Sequence, residues 1–394
     1  MKSQNEVESQ ARAEISKKKA ELLRIQEELN RKLKSAERQR NKRRKPDSSL
    51  LEVENKLKPL PVFTVPFSIK PGTKLLCHYQ FKLTDNIRAN NPQTTQPSFQ
   101  SAQFLYSTKL SSETSSYPAQ IASHVLLRTK TSIFVVRTES WKVEQFDLSP
   151  DLHSYTDHVF LFGEDEILLG IDKKKGTIAN LKTCNIVYEC KSATIETYCY
   201  SKSRVFLSVC ANSETPSYQI LALCYDAHFK TLSCLSQFSS PHLIVSLKHM
   251  TEKLVGTSAD NIYIWSLEGE LCGELTLPGS DQLICRAARY HNAHTFLVIS
   301  CGSTLYSLVL SPDVDDQRLI AEVETQGNVF VCGFYGVYSH GGGMLVHNLI
   351  TERRTATFDL TGMTLLDVSG DNPLFLFGSG NSAALCHLDI PVTV

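Results

Sequence analysis

Apolar and polar positions between residues 253 and 277 form three short runs separated by turn residues. Each run has the composition of a β-strand, and the breaks carry Thr, Ser, Asp and Gly. In the middle run we expect Ile262 and Ile264 to face one way and the alternating aromatic residues the other. A glycine, a gap, a strand ending in Trp-x-Leu and a tight turn are typical of a WD-repeat blade, with Trp265 as its structural anchor. A single blade cannot bury both of its faces, so the pattern predicts further blades beside it.

Strand-like runs that end in leucine recur through the chain. They end at Leu148, Leu181, Leu223, Leu267, Leu308, Leu349 and Leu388. The successive intervals are 33, 42, 44, 41, 41 and 39 residues, against a period of about 40–45 for a WD-type repeat. The pattern predicts an all-β fold, a degenerate seven-bladed WD-repeat-like β-propeller, in which the repeat ending at Leu181 is short.

The ring is expected to be closed by a strand that precedes the first blade in the sequence. The last repeat, 364–390, stops after its third strand, which would leave an exposed edge. Strand-like runs between residues 60 and 83 are placed to supply the missing fourth strand. The polar stretch Asp85–Pro118 is predicted to form a long surface loop.

Residues 12–45 are predicted to form one long helix, rich in Glu, Lys, Arg, Leu and Ala and free of Gly and Pro. Its heptad pattern forms a short apolar seam interrupted by lysine. The seam positions are Leu22, Ile25, Leu29, Lys32, Leu33 and Ala36. A solvated charged helix is one interpretation, and we favour a weak or partner-dependent coiled coil.

A basic run, 38–45, ends this helix, and Pro46 stops it. Lys42, Arg43, Arg44 and Lys45 are candidates for a nuclear-localisation signal or for contacts with nucleic-acid phosphates. The simpler alternative is a charged helix end that complements the helix dipole.

Charge and composition divide the chain into a basic arm and an acidic body. Residues 1–58 carry 17 Lys and Arg against 10 Asp and Glu, although the whole chain has 41 of each. The expected organisation is a coiled-coil helix at 1–46, a linker with closing strands and a polar loop at 47–118, and the propeller at 119–394. No apolar run approaches the roughly 18 residues of a membrane span, and no signal peptide is evident, so we expect a cytosolic or nuclear protein without a membrane partner. The basic run at 38–45 favours a nuclear location.

The sequence contains no recognisable catalytic, cofactor or metal motif. Gly341–Gly343 precedes Met344 rather than Lys and Ser, so a β-turn is favoured over a phosphate-binding loop. His340 and His347 are expected to be structural, and the acidic run 164–166 to be a solvated turn. The 12 cysteines contain no CxxC pair, which predicts reduced, mostly buried thiols. The expected function is binding without catalysis, cofactor or metal.

Two segments resemble a family of recombination scaffolds, the partner and localiser of the type-2 breast-cancer susceptibility protein. Residues 22–36, LLRIQEELNRKLKSA, are similar to its N-terminal coiled coil. Residues 254–267, with NIYIWSL, and 285–300, with CRAARY and FLVIS, are similar to its adjacent middle blades.

The resemblance implies a non-enzymatic scaffold in double-strand-break repair by homologous recombination. Its coiled coil would bind the type-1 breast-cancer susceptibility protein or itself. Its propeller would hold a short helix of the type-2 protein near the fourth and fifth blades, with Lys253, Arg286 and Tyr290 as candidate groove residues. The scaffold would promote loading of a RecA-type recombinase, and direct contact with DNA is possible.

Two departures from the family matter. Lys32 occupies a seam position, and the long middle region of vertebrate members is absent. An alternative is a coiled-coil and WD-repeat scaffold for autophagy or membrane trafficking, in which the basic run would meet acidic membrane in the cytoplasm. An enzyme built on a propeller is disfavoured because acid and base residues do not cluster in the sequence.

Overall fold

The computed structural model describes most of the chain from residue 69 onward. It covers residues 69, 73–82, 99–106, 122–130, 132–163, 165–201, 203–213, 216–250, 252–277, 282–291, 294–310, 317–325, 328–340, 342–351, 353–360, 362–370, 373–379 and 382–389. These residues belong to one compact unit, Pro61–Val394. The predicted coiled coil with its seam from Leu22 to Ala36, and the basic residues Lys42–Lys45, lie outside the described residues.

The described strands form seven four-stranded antiparallel sheets, which we number as blades 1 to 7 in chain order. The first strand is β1 (Leu75–Lys82). Blade 1 contains β2 (Ser101–Tyr106), β3 (Ala122–Arg128), β4 (Ser132–Arg137) and β5 (Val143–Asp147). A 3-10 helix, Pro150–Tyr155, leads to blade 2, which contains β6 (Val159–Phe162), β7 (Ile167–Asp172), β8 (Thr177–Asn180) and β9 (Asn185–Glu189).

The next blades repeat this order. Blade 3 contains β10 (Ala193–Tyr200), β11 (Arg204–Ala211), β12 (Tyr218–Asp226) and β13 (Thr231–Ser240). Blade 4 contains β14 (Ser246–Met250), β15 (Lys253–Thr257), β16 (Asn261–Ser266) and β17 (Leu271–Thr276). Blade 5 contains β18 (Leu283–His291), β19 (His294–Cys301), β20 (Thr304–Leu310) and β21 (Gln317–Glu324). Blade 6 contains β22 (Val329–Cys332), β23 (Tyr335–His340), β24 (Gly343–Asn348) and β25 (Arg353–Asp359). Blade 7 contains β26 (Thr364–Val368), β27 (Leu374–Ser379), β28 (Ser382–Leu388) and, as its outer strand, β1.

The first strands of the blades line the inside of the ring. Strand β14 contacts β10 and β18, and β2 contacts both β6 and β26. The contact between β2 and β26 joins the first blade to the last. This arrangement confirms the predicted seven-bladed β-propeller.

Strand β1 closes the ring by pairing with β28. The antiparallel register runs from Leu75 opposite Leu388 to Lys82 opposite Ser382, with a bulge between Cys77 and Tyr79. The fourth strand of blade 7 thus comes from the N-terminal side, and the expected closure is confirmed for Leu75–Lys82. The pairing covers an edge that would otherwise be open.

Residues 101–106 are a strand and not part of a surface loop. Strand β2 is the inner strand of blade 1, where Ala102, Phe104 and Leu105 are buried. The expectation of a loop over the whole of 85–118 is therefore wrong at this segment. The propeller includes β1 and β2, both N-terminal of residue 119, because each is needed to complete a four-stranded blade.

The first of the seven leucine anchors, Leu148, does not occupy the same place in its blade as the other six. Six anchors lie in or directly after the third strand of a blade, but Leu148 follows β5, the fourth strand of blade 1. The equivalent position in blade 1 is Thr138, whose N–H donates to Ser123 O at 2.9 Å as that of Leu181 does to Leu168 O. Thr138 lies 43 residues before Leu181, so the second repeat is not short.

The core consists of hydrophobic layers between neighbouring blades. Ile262 and Ile264 pack with residues of blade 5, whereas Tyr263 and Trp265 pack with residues of blade 3. This confirms the predicted alternation along β16. Each side of a blade is therefore buried by a neighbour, which is why a single blade would not be stable alone.

Candidate functional site

The candidate groove residues that the sequence singled out lie on blades 4 and 5, on either side of the boundary, or seam, between these blades. Two buried hydrogen bonds cross this seam: Ser246 Oγ donates to Cys285 O at 3.1 Å, and Thr257 Oγ1 donates to Leu283 O at 2.7 Å. Both hydrogen bonds lie at the ends of β14, β15 and β18 that are farther from the β14–β15 and β18–β19 hairpins. Together with the shared apolar layer they hold the two blades as one rigid support.

Lys253 and Tyr290 lie near the opposite end of this seam. Lys253 begins β15, is partly exposed and is paired with Met250 at the β14–β15 hairpin. Tyr290 is paired with Thr295 near the β18–β19 hairpin, and its side chain lies outside the described part of the structure. The fold thus brings these two positions to corresponding hairpins of adjacent blades.

Arg286 is held within blade 5. Its Nε donates to Ser300 Oγ at 2.9 Å, and Ser300 is buried on the neighbouring strand β19. Burial lowers the pKa of the Arg286 guanidinium from its ordinary value, but an arginine remains charged at neutral pH. Arg286 therefore supplies a partly buried positive charge nearer the middle of β18 than the hairpin where Lys253 and Tyr290 lie.

Trp265 anchors the other side of blade 4. Its side chain is 2% exposed and stacks on Tyr263 with ring centroids 5.4 Å apart. A Cβ placed on Gly256 would lie 2.7 Å from Trp265 Cζ3. The glycine before the Trp-x-Leu strand is thus required because the indole packs directly onto the backbone.

A polar network inside the ring was missed by sequence reasoning. The carbonyl of Gly370 accepts from Arg289 Nη2 at 2.8 Å and from Gly333 N at 2.7 Å, while Gly370 N donates to Tyr106 OH at 3.2 Å. The backbone of one residue, Gly370 in blade 7, therefore links residues of blades 5, 6 and 1. Arg289 and Gly370 are 81 residues apart in sequence, so no local pattern indicated the contact.

Asp367 completes this network at the junction of the last and first blades. Its Oδ2 accepts from Phe104 N at 2.7 Å and its Oδ1 accepts from Val368 N at 2.8 Å. Burial raises the pKa of the carboxyl to about 6 despite these two donors. Its contacts are with backbone groups of the fold, which suits a structural role.

A small crevice of about 90 Å³ lies between blades 1 and 2 and is lined by both charge types. Arg137 Nη2 donates to Glu166 Oε2 at 3.2 Å, and Lys182 Nζ donates to Glu144 Oε2 at 3.0 Å. The expectation of a solvated turn for the acidic run 164–166 is therefore wrong at Glu166, which is ion-paired with Arg137. Because these charges are paired across the crevice, it offers little net charge to a ligand.

The remaining residues to which the sequence drew attention are the glycine run 341–343 and the two histidines beside it. Where the structure describes them, they lie in a β-hairpin or pack against neighbouring side chains. Residues 340 and 343 face each other at the β23–β24 hairpin, which confirms a turn there. His347 packs against the Tyr338 ring at a centroid distance of 5.5 Å, and burial lowers its pKa. The side chain of His340 is outside the described residues.

None of the twelve cysteines, all of which lie in the described part of the chain, forms a disulfide. Only part of the expected burial is found, since Cys77, Cys184, Cys234 and Cys272 are exposed. Among the described residues, no group of three or more His, Cys, Asp or Glu side chains could hold a metal ion. In the same residues, no helix has the length and hydropathy needed to cross a membrane.

Comparison with known proteins shows no family for this chain. No family model and no curated protein matches the sequence. Similar solved structures include the AfRom2 CNH domain, with 14% identity and a TM-score of 0.45 over 68% of this chain and 92% of that one. Others are the computationally designed Ika8 protein, with 10% identity and a TM-score of 0.44 over 75% and 98%, and an oligogalacturonate lyase in complex with manganese, with 10% identity and a TM-score of 0.43 over 68% and 86%. These low values say nothing about what this chain binds.

Proposed function

We propose that this chain is a non-enzymatic scaffold in double-strand-break repair by homologous recombination. It bridges the type-1 and type-2 breast-cancer susceptibility proteins and promotes loading of a RecA-type recombinase. The observation that carries the proposal is the position of the two family-like segments. Residues 254–267 and 285–300 lie in β15–β16 and β18–β19, side by side in adjacent blades.

The seam between these blades suits a short helical ligand. Buried hydrogen bonds from Ser246 and Thr257 stop the blades from moving apart, so binding would cost little reorganisation of the propeller. An amphipathic helix supplies a few apolar anchors to such a groove and leaves its polar face outside. Lys253 and Tyr290, at corresponding hairpins, are the proposed contacts at one end, and the partly buried charge of Arg286 lies farther along β18.

The basic arm has a separate role in the proposal. Its seam from Leu22 to Ala36 pairs with a coiled coil of the type-1 protein or with a second copy of itself. Lys42–Lys45 direct the chain to the nucleus and are the candidate contacts for DNA phosphates. Two independent binding elements on one chain are what a bridging scaffold requires.

Binding to the propeller is tested with the full-length chain and a labelled peptide from the N-terminal region of the type-2 protein. Lys253→Glu reverses a partly exposed charge beside the groove, and we expect it to weaken binding by about tenfold or more. Lys191→Glu is the matched control, because Lys191 is exposed in the connection between blades 2 and 3. Equal affinities of the two variants for the peptide would show that Lys253 is not a groove contact. Lack of binding by the unchanged chain would reject the proposed partner.

Binding through the helix is tested by affinity purification and mass spectrometry of partners. Leu29→Pro breaks the predicted helix, and we expect it to lose the coiled-coil partner while the propeller partner is kept. Identical partner sets for Leu29→Pro and the unchanged chain would contradict the coiled coil. Exclusion of the tagged chain from the nucleus would favour the trafficking alternative.

A further inference from the structure

Two cysteines face each other across the strand pair that closes the ring. Cys77 on β1 and Cys386 on β28 are direct partners in the antiparallel register. In the described strand pairings, no other two cysteines are opposed in this way. The pair joins the N-terminal closing strand to the last strand of the final blade.

The hydrogen bonding of the ladder fixes the geometry of this pair. Asp389 N donates to Lys74 O at 2.8 Å, so positions 74 and 389 form a hydrogen-bonded pair. Hydrogen-bonded and non-hydrogen-bonded pairs alternate in an antiparallel ladder, which makes Cys77 and Cys386 a non-hydrogen-bonded pair. Such pairs have Cα atoms about 4.5 Å apart, and a disulfide requires roughly 4.4–6.8 Å.

The two facing cysteines differ in access to solvent. Cys386 is 3% exposed, whereas Cys77 is exposed on the outer strand. Burial, together with the neighbouring Cys77, raises the pKa of Cys386 to about 12. An oxidant in solution therefore meets Cys77 first, and Cys386, which faces it, resolves the product slowly because little of its thiol is ionised at neutral pH.

We propose that Cys77 and Cys386 form a disulfide that locks the closing strand when the protein meets a low-molecular-weight disulfide such as oxidised glutathione. The Cys77 thiolate attacks one sulfur of oxidised glutathione, forming a mixed disulfide and releasing one glutathione thiolate. The Cys386 thiolate then attacks the Cys77 sulfur, and the second glutathione leaves. Two protein thiols are oxidised and one glutathione disulfide is reduced to two glutathione thiols, and the two protons lost by the cysteines end on the two departing glutathione thiolates.

The lock has a physical consequence because it joins distant parts of the sequence. A bond between residues 77 and 386 closes a loop of about 300 residues and restricts the unfolded chain strongly. It also prevents β1 from separating from β28, which among the described strands is the one hydrogen-bonded pairing between opposite parts of the sequence. We expect the oxidised protein to melt about 5 °C higher than the reduced protein.

The test equilibrates the full-length protein with oxidised and reduced glutathione at several ratios, then quenches with acid and alkylates the free thiols. Peptide mass spectrometry is expected to find Cys77 linked to Cys386 at oxidising ratios. Cys386→Ser is expected to leave Cys77 carrying glutathione, and Cys77→Ser to abolish the link. Cys272→Ser, which removes an exposed thiol on β17, is the control that keeps it.

The melting temperature distinguishes a disulfide that stabilises the closing strand from oxidation that has no effect on stability. The rise on oxidation should be present in the unchanged protein and in Cys272→Ser and absent in Cys77→Ser, whose reduced form should melt as the unchanged protein does. Three results would overturn the proposal: Cys77 remaining free at oxidising ratios, Cys77 stopping at the mixed disulfide in the unchanged protein, or Cys77 pairing with a different cysteine.

Discussion

Trp265 shows how one residue fixes the local structure of a blade. Its indole is buried between blades 3 and 4, against Tyr263 and with Phe238 at a ring-centroid distance of 6.0 Å. The same indole occupies the space that a side chain at position 256 would need, so Gly256 and Trp265 are a matched pair. The Gly and Trp that made this repeat recognisable in the sequence are therefore linked by packing.

Replacing Trp265 with Ala should lower the free energy of unfolding by about 3–5 kcal/mol, because a large buried ring leaves a cavity that the rigid blades cannot fill. Denaturant unfolding followed by circular dichroism measures the loss. Phe229→Ala is the control, since Phe229 is 72% exposed and its removal should change the free energy of unfolding by less than about 0.5 kcal/mol. A Trp265→Ala protein as stable as the control would show that the ring does not support the core.

The strands show which features of the fold could be predicted from the sequence. The blades with a leucine in or directly after the third strand could be predicted, because this position recurs along the sequence at a nearly constant interval. Blade 1 carries Thr138 there, and Leu148 after β5 offered a misleading match. Strand β2 was missed because its burial comes from contact with β6 and β26, which its own short and polar-flanked sequence does not reveal.

Strand β1 is held in place mainly by its backbone hydrogen bonds to β28, and less by the outward-facing side chain of Leu76. The alternation set by Lys74 and Asp389 places Leu76 and His387 in a hydrogen-bonded pair, while the Leu76 side chain is 39% exposed. Leu76→Pro removes the N–H and should lower the free energy of unfolding by about 2 kcal/mol or more. Leu76→Thr keeps the N–H and should have a much smaller effect.

Hydrogen exchange locates the effect of Leu76→Pro. Amides of β28 should exchange faster in the proline variant, and amides of blade 4 should be unaffected, because β1 pairs with β28 alone. Equal protection of β28 in the proline and threonine variants would mean that closure does not depend on this hydrogen bond.

Across the whole molecule, two buried groups should give stability opposite dependences on pH. Burial and nearby Arg204 lower the pKa of His249 to about 4, against an ordinary value of 6.5, and the ring stacks on Phe206. The unfolded chain therefore binds a proton that the folded chain does not, and stability falls as the pH drops from 6.5 to 4. For Asp367, whose pKa is raised from 3.8 to about 6, stability falls as the pH rises from 4 to 6.

The variants His249→Gln and Asp367→Asn separate these contributions. His249→Gln should reduce the loss of unfolding free energy between pH 7.5 and pH 4, and Asp367→Asn should remove the loss between pH 4 and pH 6. Each difference should be at most about 3 kcal/mol. Urea unfolding across this pH range measures both. Parallel pH profiles for the variants and the unchanged protein would show that neither group titrates abnormally in the fold.

The whole ring also shows why the candidate site was harder to predict than the fold. The spacing of the repeats predicts the blades. It does not predict which polar groups meet inside the ring, because these meetings are contacts between distant residues, such as Arg289 with Gly370 and Phe104 with Asp367. These pairs are separated by 81 and 263 residues. The sequence placed Lys253 and Tyr290 on adjacent blades correctly, but it could not show that Ser300 holds Arg286 within blade 5.

The closing strand has a consequence for synthesis of the protein. Strand β1 leaves the ribosome first and its partner β28 follows about 300 residues later. At about 5–20 residues per second, β1 waits roughly 15 to 60 s without its partner. Throughout that time a strand with free hydrogen-bonding groups is available for pairing with other nascent chains. Completion of the propeller thus waits for the synthesis of β28, and β1 needs protection by chaperones until then.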